Sequence, residues 1–224
     1  MPGAASACAR STCWRKPRSR WKSPARISLI RKETASVADL TLAPRTPLGH
    51  ALPEQHNIGG FALTEVVDTA LGSLTVRAGQ SAAVADRAAA AGLPLPGPAC
   101  WLPGAPYAAF WLAQDSWMIE APFASHEDIH RHLRGLFGDT ASITEQTDGW
   151  ARFDIRGEHL PALFERLCPV DLRGLAPGHA TRTVVEHIGC YLIWREPGRI
   201  SVIGPRSSAA ALWHALETAA RALA

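Results

Sequence analysis

The chain has 224 residues, of which 47% are apolar, so it can form one domain or two small ones around a sizeable core. No apolar run reaches the roughly 18 to 20 residues that a membrane-spanning helix requires, which argues against a membrane protein. Residues 1–40 hold 9 Lys and Arg against 2 acids, a net charge of +7, whereas residues 41–224 hold 14 Arg against 18 acids, a net charge of −4. Because the body of the chain is mildly acidic, it lacks the basic surface that favours nucleic acid.

The five cysteines are odd in number and contain no Cys-x-x-Cys pair. This usage argues against a disulfide framework or a thiolate zinc site. We therefore expect a reducing, cytoplasmic setting.

Residues 1–36 are rich in Arg, Ser and Pro and poor in acids. An organelle transit peptide has this composition, and a basic arm that contacts phosphates is a second alternative. We interpret the segment as a disordered extension that is dispensable for folding. Every lysine of the chain lies before residue 37, which suggests translation from upstream of the true start, with Val37 as a non-AUG initiation site.

Residues 37–146 are expected to form a first α+β unit. Helix-forming alanines follow Ser81, and a later helix after Ser125 carries apolar residues at helical spacing. The expected elements are a loop over 42–60, a strand over 71–76, a helix over 81–91, a hairpin of 107–113 with 117–121, a helix capped by Ser125, and a closing strand over 142–146.

Residues 147–224 are expected to form a second α+β unit, which begins at the turn signal Asp148-Gly149. Trp150, Phe153 and Ile155 come next in near-alternation with polar residues, as in a strand with one buried face. We interpret Trp150 as an anchor of the core. The further expected elements are a helix over 160–167, a loop over 169–178, a hairpin of 184–194 with 200–203, and a helix after Ser207.

The two units have the same order of elements: strand, glycine, helix, long loop, hairpin, proline and helix. Gly79 and Gly157 are 157 − 79 = 78 residues apart, and Pro122 and Pro205 are 205 − 122 = 83 apart. This order predicts a duplicated β-α-β-β-α-β, ferredoxin-like unit, an α+β fold with antiparallel sheets and helices on one face of each.

The segment from His126 to His130 matches His-Glu-x-x-His, in which two histidines bind zinc and Glu127 acts as base. We interpret the match as a solvated helix face, because no downstream segment resembles a third-ligand signature. We therefore expect no metal on this chain. Nucleophile and phosphate-loop motifs are absent from the sequence, and no catalytic residue is assigned.

Three arginines border the second hairpin, namely Arg182, Arg195 and Arg206. Arginine can bind a carboxylate or phosphate through two hydrogen bonds, but it is also enriched at protein interfaces. We favour the interface and keep a ligand site as the alternative.

Five segments of the second half resemble the gamma subunit family of bacterial heterotetrameric sarcosine oxidase. They are residues 146–154, 171–172, 180–183, 194–195 and 204–207. The resemblance covers about residues 40–224, with Thr147 at a position where the family more often has serine. Residues 1–36 have no counterpart in it.

The resemblance implies a fold related to the folate-binding aminomethyltransferase domain. It also implies a four-chain flavoenzyme that oxidises sarcosine to glycine, passes the one-carbon unit to tetrahydrofolate or releases formaldehyde, and reduces oxygen to hydrogen peroxide. The partners would be alpha, beta and delta subunits, which would hold FAD, FMN, NAD, zinc and tetrahydrofolate. This chain would carry no cofactor and have a structural role, with neither nucleic acid nor membrane as a partner.

Two other classes of function remain open at the level of sequence. One is a free-standing folate-dependent one-carbon transfer protein on the same fold, which needs a carboxylate in a pocket with an aromatic wall. Asp148 and Asp154 are the candidates near the start of the second unit. The other is a zinc hydrolase that uses His126, Glu127 and His130.

Overall fold

Eleven strands and five α-helices make up the part of the chain that the computed structural model describes, residues 43–224. The expected extension over residues 1–36 lies outside the described residues. The strands are β1 Gln55–Ile58, β2 Phe61–Val66, β3 Thr69–Val76, β4 Trp101–Leu102, β5 Ala108–Ala113, β6 Ser116–Pro122, β7 Ala141–Glu145, β8 Trp150–Arg156, β9 Ala180–Val185, β10 Ile188–Glu196 and β11 Arg199–Pro205. The α-helices are α1 Ser81–Ala90, α2 Phe123–His126, α3 Ile129–Phe137, α4 Leu160–Phe164 and α5 Ala209–Arg221.

The strands form two sheets in which every pairing is antiparallel. One sheet has six strands in the order β1-β2-β8-β11-β10-β9, and the other has five in the order β4-β5-β6-β3-β7. The architecture is therefore mixed α+β with two antiparallel sheets and few helices. The strand β2, from the first half of the chain, pairs with β8, so the six-stranded sheet draws strands from both halves.

Three apolar clusters separate four layers of structure. The six-stranded sheet packs on α4 and α5 through side chains such as Phe153 and Phe164, and the five-stranded sheet packs on α1 and α3 through Leu74 and Leu133. The third cluster lies between the two sheets and includes Phe110. Because burying a large apolar side chain contributes about 1.5–3 kcal/mol, these clusters are the main stabilising element of the fold.

Strand β8 illustrates how alternation assigns side chains to layers. Ala151, Phe153 and Ile155 are fully buried in the cluster under the helices. Because successive side chains of a strand point to opposite faces, Arg152 and Asp154 point toward the other sheet. The period of two therefore places charged residues between the sheets.

The two sheets also meet at their edges. The residues before β4 form an antiparallel bridge with those before β9, at Cys100 and His179. The amide of Trp101 donates to the carbonyl of Gly178 at 2.7 Å. This contact closes one side of the space between the sheets.

Most elements that the sequence predicts are confirmed, including the strands near 71–76 and 150–156, the helix after Ser81 and the hairpin of β5 with β6. The predicted loop over 42–60 is wrong at its end, because β1 forms there. The predicted strand over 184–194 is also wrong, because the chain reverses at Glu186-His187 between β9 and β10.

The helix predicted to start at Ser125 is interrupted. Ser125 lies inside the short α2, and α3 has its own N-cap, Asp128, whose carboxylate accepts from the amide of Arg131 at 3.0 Å. A carboxylate at the N-cap satisfies amides that a helix start leaves unpaired. The chain therefore forms two helices where the apolar pattern predicts one.

Candidate functional site

The three arginines that the sequence singles out lie in different environments. Arg195 on β10 is 6% exposed, Arg182 on β9 is exposed, and Arg206 is half-buried. Arg206 donates to the carbonyl of Arg45 at 2.7 Å and lies 3.5 Å from Asp148. The structure therefore does not bring the three arginines to one site, and Arg195 alone belongs to a buried polar group.

Arg195 forms a two-pronged ion pair with Glu120, which lies on β6 of the other sheet. Its two terminal nitrogens donate to the two carboxylate oxygens at 2.5 and 2.7 Å. The side chains are 2% and 5% exposed, so both charges are removed from water. A charge this deeply buried requires a partner with good geometry, and the paired fork supplies it.

A second ion pair lies beside the first, between Arg152 and Asp154 on β8. Arg152 donates to both oxygens of Asp154 at 2.9 Å, and it also donates to Thr69 at 3.2 Å. Ser201 connects the pairs, because its hydroxyl donates to Asp154 at 2.5 Å and accepts from Nε of Arg195 at 2.8 Å. Two positive and two negative charges thus form one network, which we call the inter-sheet network.

The network holds both of its carboxylates in the ionised form. Burial raises the pKa of Glu120, but the charge and hydrogen bonds of Arg195 outweigh burial, so that the pKa is lowered from its ordinary value. Burial also raises the pKa of Asp154, and Arg152 with Ser201 outweighs it, which again leaves the pKa lowered. Burial lowers the pKa of Arg152, but Glu120 and Asp154 outweigh it and raise the pKa.

An aromatic wall and a cavity adjoin the inter-sheet network. The indole nitrogen of Trp101 donates to Glu120 at 2.9 Å, and the guanidinium carbon of Arg195 lies 4.8 Å from the centroid of the Trp101 ring. The cavity has a volume of about 290 Å³ and opens toward solvent. Its charged lining residues are Asp68, Glu120, Arg152, Arg195 and Arg199.

The arrangement is poorly suited to proton transfer near neutral pH. A general acid or base works best when its pKa lies near the operating pH. The pKa values of Glu120 and Asp154 are instead lowered, away from neutral pH, and their oxygens already accept hydrogen bonds from arginine side chains. The inter-sheet network therefore holds the two sheets together and presents a polar cavity without a poised proton donor.

Trp150 and Asp148, two other residues that the sequence singles out, lie at the start of β8. Trp150 is half-buried against the cluster between the sheets, where its ring centroid is 5.4 Å from that of Tyr191. Its indole nitrogen donates to Gln146 at 3.1 Å. Asp148 is exposed and does not line this cavity, whose carboxylates are those of Asp68 and Glu120.

The His-Glu-x-x-His segment spans the break between α2 and α3, so His126 and His130 do not share a continuous helix. Within residues 43–224 there is no group of three or more His, Cys, Asp or Glu side chains placed to hold a metal ion. The zinc hydrolase alternative therefore lacks its ligand set in the described part of the chain.

The two thiols of the second half are buried on the helix side of the six-stranded sheet. Burial, followed by the charge of the neighbouring Cys168, raises the pKa of Cys190 to about 12. Burial also raises the pKa of Cys168. Since the thiolate is the reactive form, both residues act as packing groups at neutral pH.

Sequence reasoning missed Glu120 and Trp101. Glu120 is the one charged residue in the apolar strand β6, and a buried charge in such a strand requires a partner. That signal can be read from the sequence. The identity of the partner cannot, because Glu120 and Arg195 are 75 residues apart.

No protein family model and no curated protein matches the sequence. Among solved structures, the fold is similar to heterotetrameric sarcosine oxidase from Corynebacterium sp. U-96 in complex with pyrrole 2-carboxylate. The TM-score is 0.60 and the sequence identity is 23%, over 71% of this chain and 83% of that chain.

The fold is also similar to glycine cleavage system aminomethyltransferase T from Bartonella henselae, with a TM-score of 0.52 and 13% identity over 71% of this chain. The match covers 48% of that chain, so this protein spans about half of its length. At these identities the two likenesses establish a related fold. They agree with the α+β fold that the sequence predicts.

Among residues 43–224, no helix is long and apolar enough to cross a membrane.

Proposed function

We propose that this chain is the gamma subunit of a bacterial heterotetrameric sarcosine oxidase, and that it stabilises the complex without catalysing a step. The observation that carries the proposal is the neutralised inter-sheet network beside the polar cavity, in which arginines occupy both carboxylates of the network, Glu120 and Asp154. Because the carboxylates of the network are already paired with arginine, the network supports a structural role for the chain. The likeness to a sarcosine oxidase chain over most of that chain's length supports the choice of complex.

We further propose that each sheet is built on one β-α-β-β-α-β unit, with a sequence boundary near residue 146. In the five-stranded sheet, β3, α1, β5, β6, α3 and β7 follow one another in that order. In the six-stranded sheet, the elements of the unit follow one another in the same order as β8, α4, β10, β11 and α5. The fourth strand of this unit would pair with β8, and β2 occupies that position. The strand orders support a duplication in which β2 crosses from the first unit to the second.

The proposal assigns the redox chemistry to other chains. The alpha, beta and delta subunits would be the partners, and they would hold FAD, FMN, NAD, zinc and tetrahydrofolate. The complex would work in the cytoplasm. Because positioning and tuning a cofactor is the protein's part in flavin chemistry, this chain by itself would oxidise no sarcosine.

A surface at the joined sheet edges suits a partner subunit. Leu102 on β4 is 45% exposed and Val184 on β9 is 48% exposed, and Arg182 is exposed on the same strand. The antiparallel bridge between Cys100 and His179 joins the starts of these two strands, which run from it in opposite directions, so that Leu102 and Val184 lie at separate places along the joined edge. Apolar residues with an arginine among them are typical of the centre of a protein interface.

Co-expression of this chain with the large flavoprotein subunits of a heterotetrameric sarcosine oxidase tests the proposal. We expect the chain to co-purify with them, and the complex assembled without it to lose activity or thermal stability. The purified chain alone should show no flavin spectrum and release no peroxide from sarcosine. A complex that kept full activity and full stability without this chain would contradict the structural role.

A free-standing folate-dependent one-carbon transfer protein is the second candidate, and Trp101 favours it. Its ring forms an aromatic wall next to the carboxylate of Glu120 in the cavity. Tetrahydrofolate titrated into the isolated chain should then quench tryptophan fluorescence saturably, and a Trp101→Phe variant should lose most of the change. The structural proposal expects no saturable quenching.

A further inference from the structure

Two histidine rings lie side by side at the break between α2 and α3. The ring centroids of His126 and His132 are 4.7 Å apart, and the ring planes are inclined by 46°. His126 also contacts the buried ring of Tyr107 edge-on at 5.2 Å, which restricts its orientation. We propose that His126 and His132 together bind a divalent first-row transition-metal ion of the class that imidazole prefers, namely Ni²⁺, Cu²⁺ or Zn²⁺.

The tautomer of His132 follows from its hydrogen bond. Nδ1 of His132 lies 2.9 Å from the carbonyl oxygen of Asp128. A carbonyl oxygen can only accept, so Nδ1 carries the hydrogen. In the neutral ring, Nε2 then has a free lone pair.

The tautomer of His126 follows from a chain of two hydrogen bonds. The hydroxyl of Ser125 donates its single hydrogen to the carbonyl of Pro122 at 3.3 Å. With that hydrogen on the Pro122 carbonyl, the hydroxyl oxygen, which lies 2.9 Å from Nδ1 of His126, accepts from that nitrogen. His126 therefore also has a free lone pair on Nε2. An imidazole whose other nitrogen donates to an oxygen is the usual form of a metal-binding histidine.

The distance between the rings matches two imidazoles on a shared ion. A metal–nitrogen bond of about 2.0–2.1 Å, added to the distance from ring centre to Nε2, puts the ion about 3.2 Å from each centroid. Two such ligands at angles of about 90° to 109° have centroids about 4.5–5.2 Å apart. The separation of 4.7 Å between His126 and His132 lies within this range.

The interrupted helix decides which histidines pair. On one continuous helix His126 and His130 would be neighbours one turn apart. Because α2 ends at His126 and α3 begins at Ile129, His126 instead contacts His132. With two protein ligands the ion keeps open positions, unlike the four-ligand structural zinc sites. The site is therefore an exchangeable one.

Calorimetric titration of the full-length chain with NiCl₂ tests the proposal, with His126→Gln, His132→Gln and His130→Gln as variants. We expect saturable binding of Ni²⁺ to the parent chain. The His126→Gln and His132→Gln variants should bind at least about 10-fold more weakly, because losing only the hydrogen-bond partner of a metal ligand already weakens binding by about 10- to 100-fold. The His130→Gln variant should bind like the parent chain. MnCl₂ should bind more weakly than NiCl₂, because Mn²⁺ stands lowest in the affinity order.

Nuclear magnetic resonance gives a second readout, because it reports on each histidine ring separately and so distinguishes this pair from any other side chain that binds Ni²⁺. Paramagnetic Ni²⁺ at substoichiometric amounts should broaden the ring signals of His126 and His132 before that of His159. The proposal is overturned if no saturable binding occurs, if His132→Gln binds like the parent chain, or if binding depends on His130 instead.

Discussion

At the scale of the residue, the inter-sheet network places four charges where neighbouring strands have apolar side chains. The pair of Glu120 with Arg195 links β6 to β10, one strand from each sheet. Replacing a whole buried ion pair by apolar residues is often neutral, whereas removing one partner leaves an uncompensated charge. The network is therefore most sensitive to single substitutions.

Replacing Glu120 by alanine should lower the free energy of unfolding by about 3–5 kcal/mol, because Arg195 would be left unpaired between the sheets. Urea denaturation followed by circular dichroism measures the change. Asp139 is the matched control, since it is 87% exposed and 3.9 Å from Arg77. Asp139→Ala should change stability by less than about 0.5 kcal/mol. Equal effects of the two substitutions would contradict this account.

The same carboxylates make stability depend on pH in acid. The pKa values of Glu120 and Asp154 are lowered on folding. Their contribution is fully present above the unfolded values of about 4.3 and 3.9, and it is lost as pH falls through the lower folded values. Urea midpoints measured from pH 7 to pH 2 should therefore fall most steeply below about pH 4.5. A Glu120→Gln variant should show a shallower fall, and an unchanged slope would count against the mechanism.

We expect Trp150 to contribute to packing rather than to form a platform for a ligand. Its ring is half-buried against Tyr191. Trp150→Ala should therefore lower the free energy of unfolding by an amount near the lower end of the about 3–5 kcal/mol that is typical for truncating a large buried aromatic side chain. Thermal denaturation measures the loss. A variant with near-native stability would show that the ring contributes little to the core.

At the scale of the element, the turn between β9 and β10 explains one error of the sequence-based prediction. Glu186 and His187 both have positive φ, 46° and 70°. Two-residue hairpin turns with this backbone favour Asn-Gly, so the dipeptide Glu-His does not signal a reversal. The β9 and β10 strands therefore look like one long strand in the sequence.

The double substitution Glu186→Asn and His187→Gly should raise the free energy of unfolding by about 1 kcal/mol, because it relieves residues held in the left-handed region. The same dipeptide at Glu158-His159 is the control, because neither residue has a positive φ. Asn-Gly at that position should not stabilise the protein. The account fails if both double variants melt at the same temperature.

At the scale of the whole molecule, two sheets face each other with helices on the outside, and two exposed apolar residues mark one edge. Leu102 and Val184 lie on the strands β4 and β9, which run in opposite directions from the bridge of Cys100 with His179. We propose that the large chains bind along this joined edge.

Leu102→Asp and Val184→Asp should each weaken co-purification with the large subunits at least tenfold, since an unpaired charge buried in an interface is strongly unfavourable. The melting temperature of the isolated chain should not change, because both side chains are exposed. Leu52→Asp is the control, since Leu52 is 77% exposed and lies outside this surface. Co-purification that is unaffected by both substitutions would move the interface elsewhere.

The helices and most strands could be predicted because their signals are local. Alternation of Phe153 and Ile155 with charged residues marks β8, although Trp150 lies on the other face of the strand, and helix-forming alanines after Ser81 mark α1. The α+β class follows from the order of such elements. The break at Asp128 was missed because Ile129 and Leu133 continue an apolar helical pattern across it.

The sequence by itself determined the composition of the layers, namely which strand faces are apolar and where helices form, because these depend on residues close together in the chain. Only the tertiary structure decided that Glu120 meets Arg195 across 75 residues, that β2 joins β8, and that His126 contacts His132. Such contacts depend on which strands pair and on how the sheets face each other. Burial then gives them their energy, since a charge hidden from water interacts far more strongly with its neighbour than an exposed one.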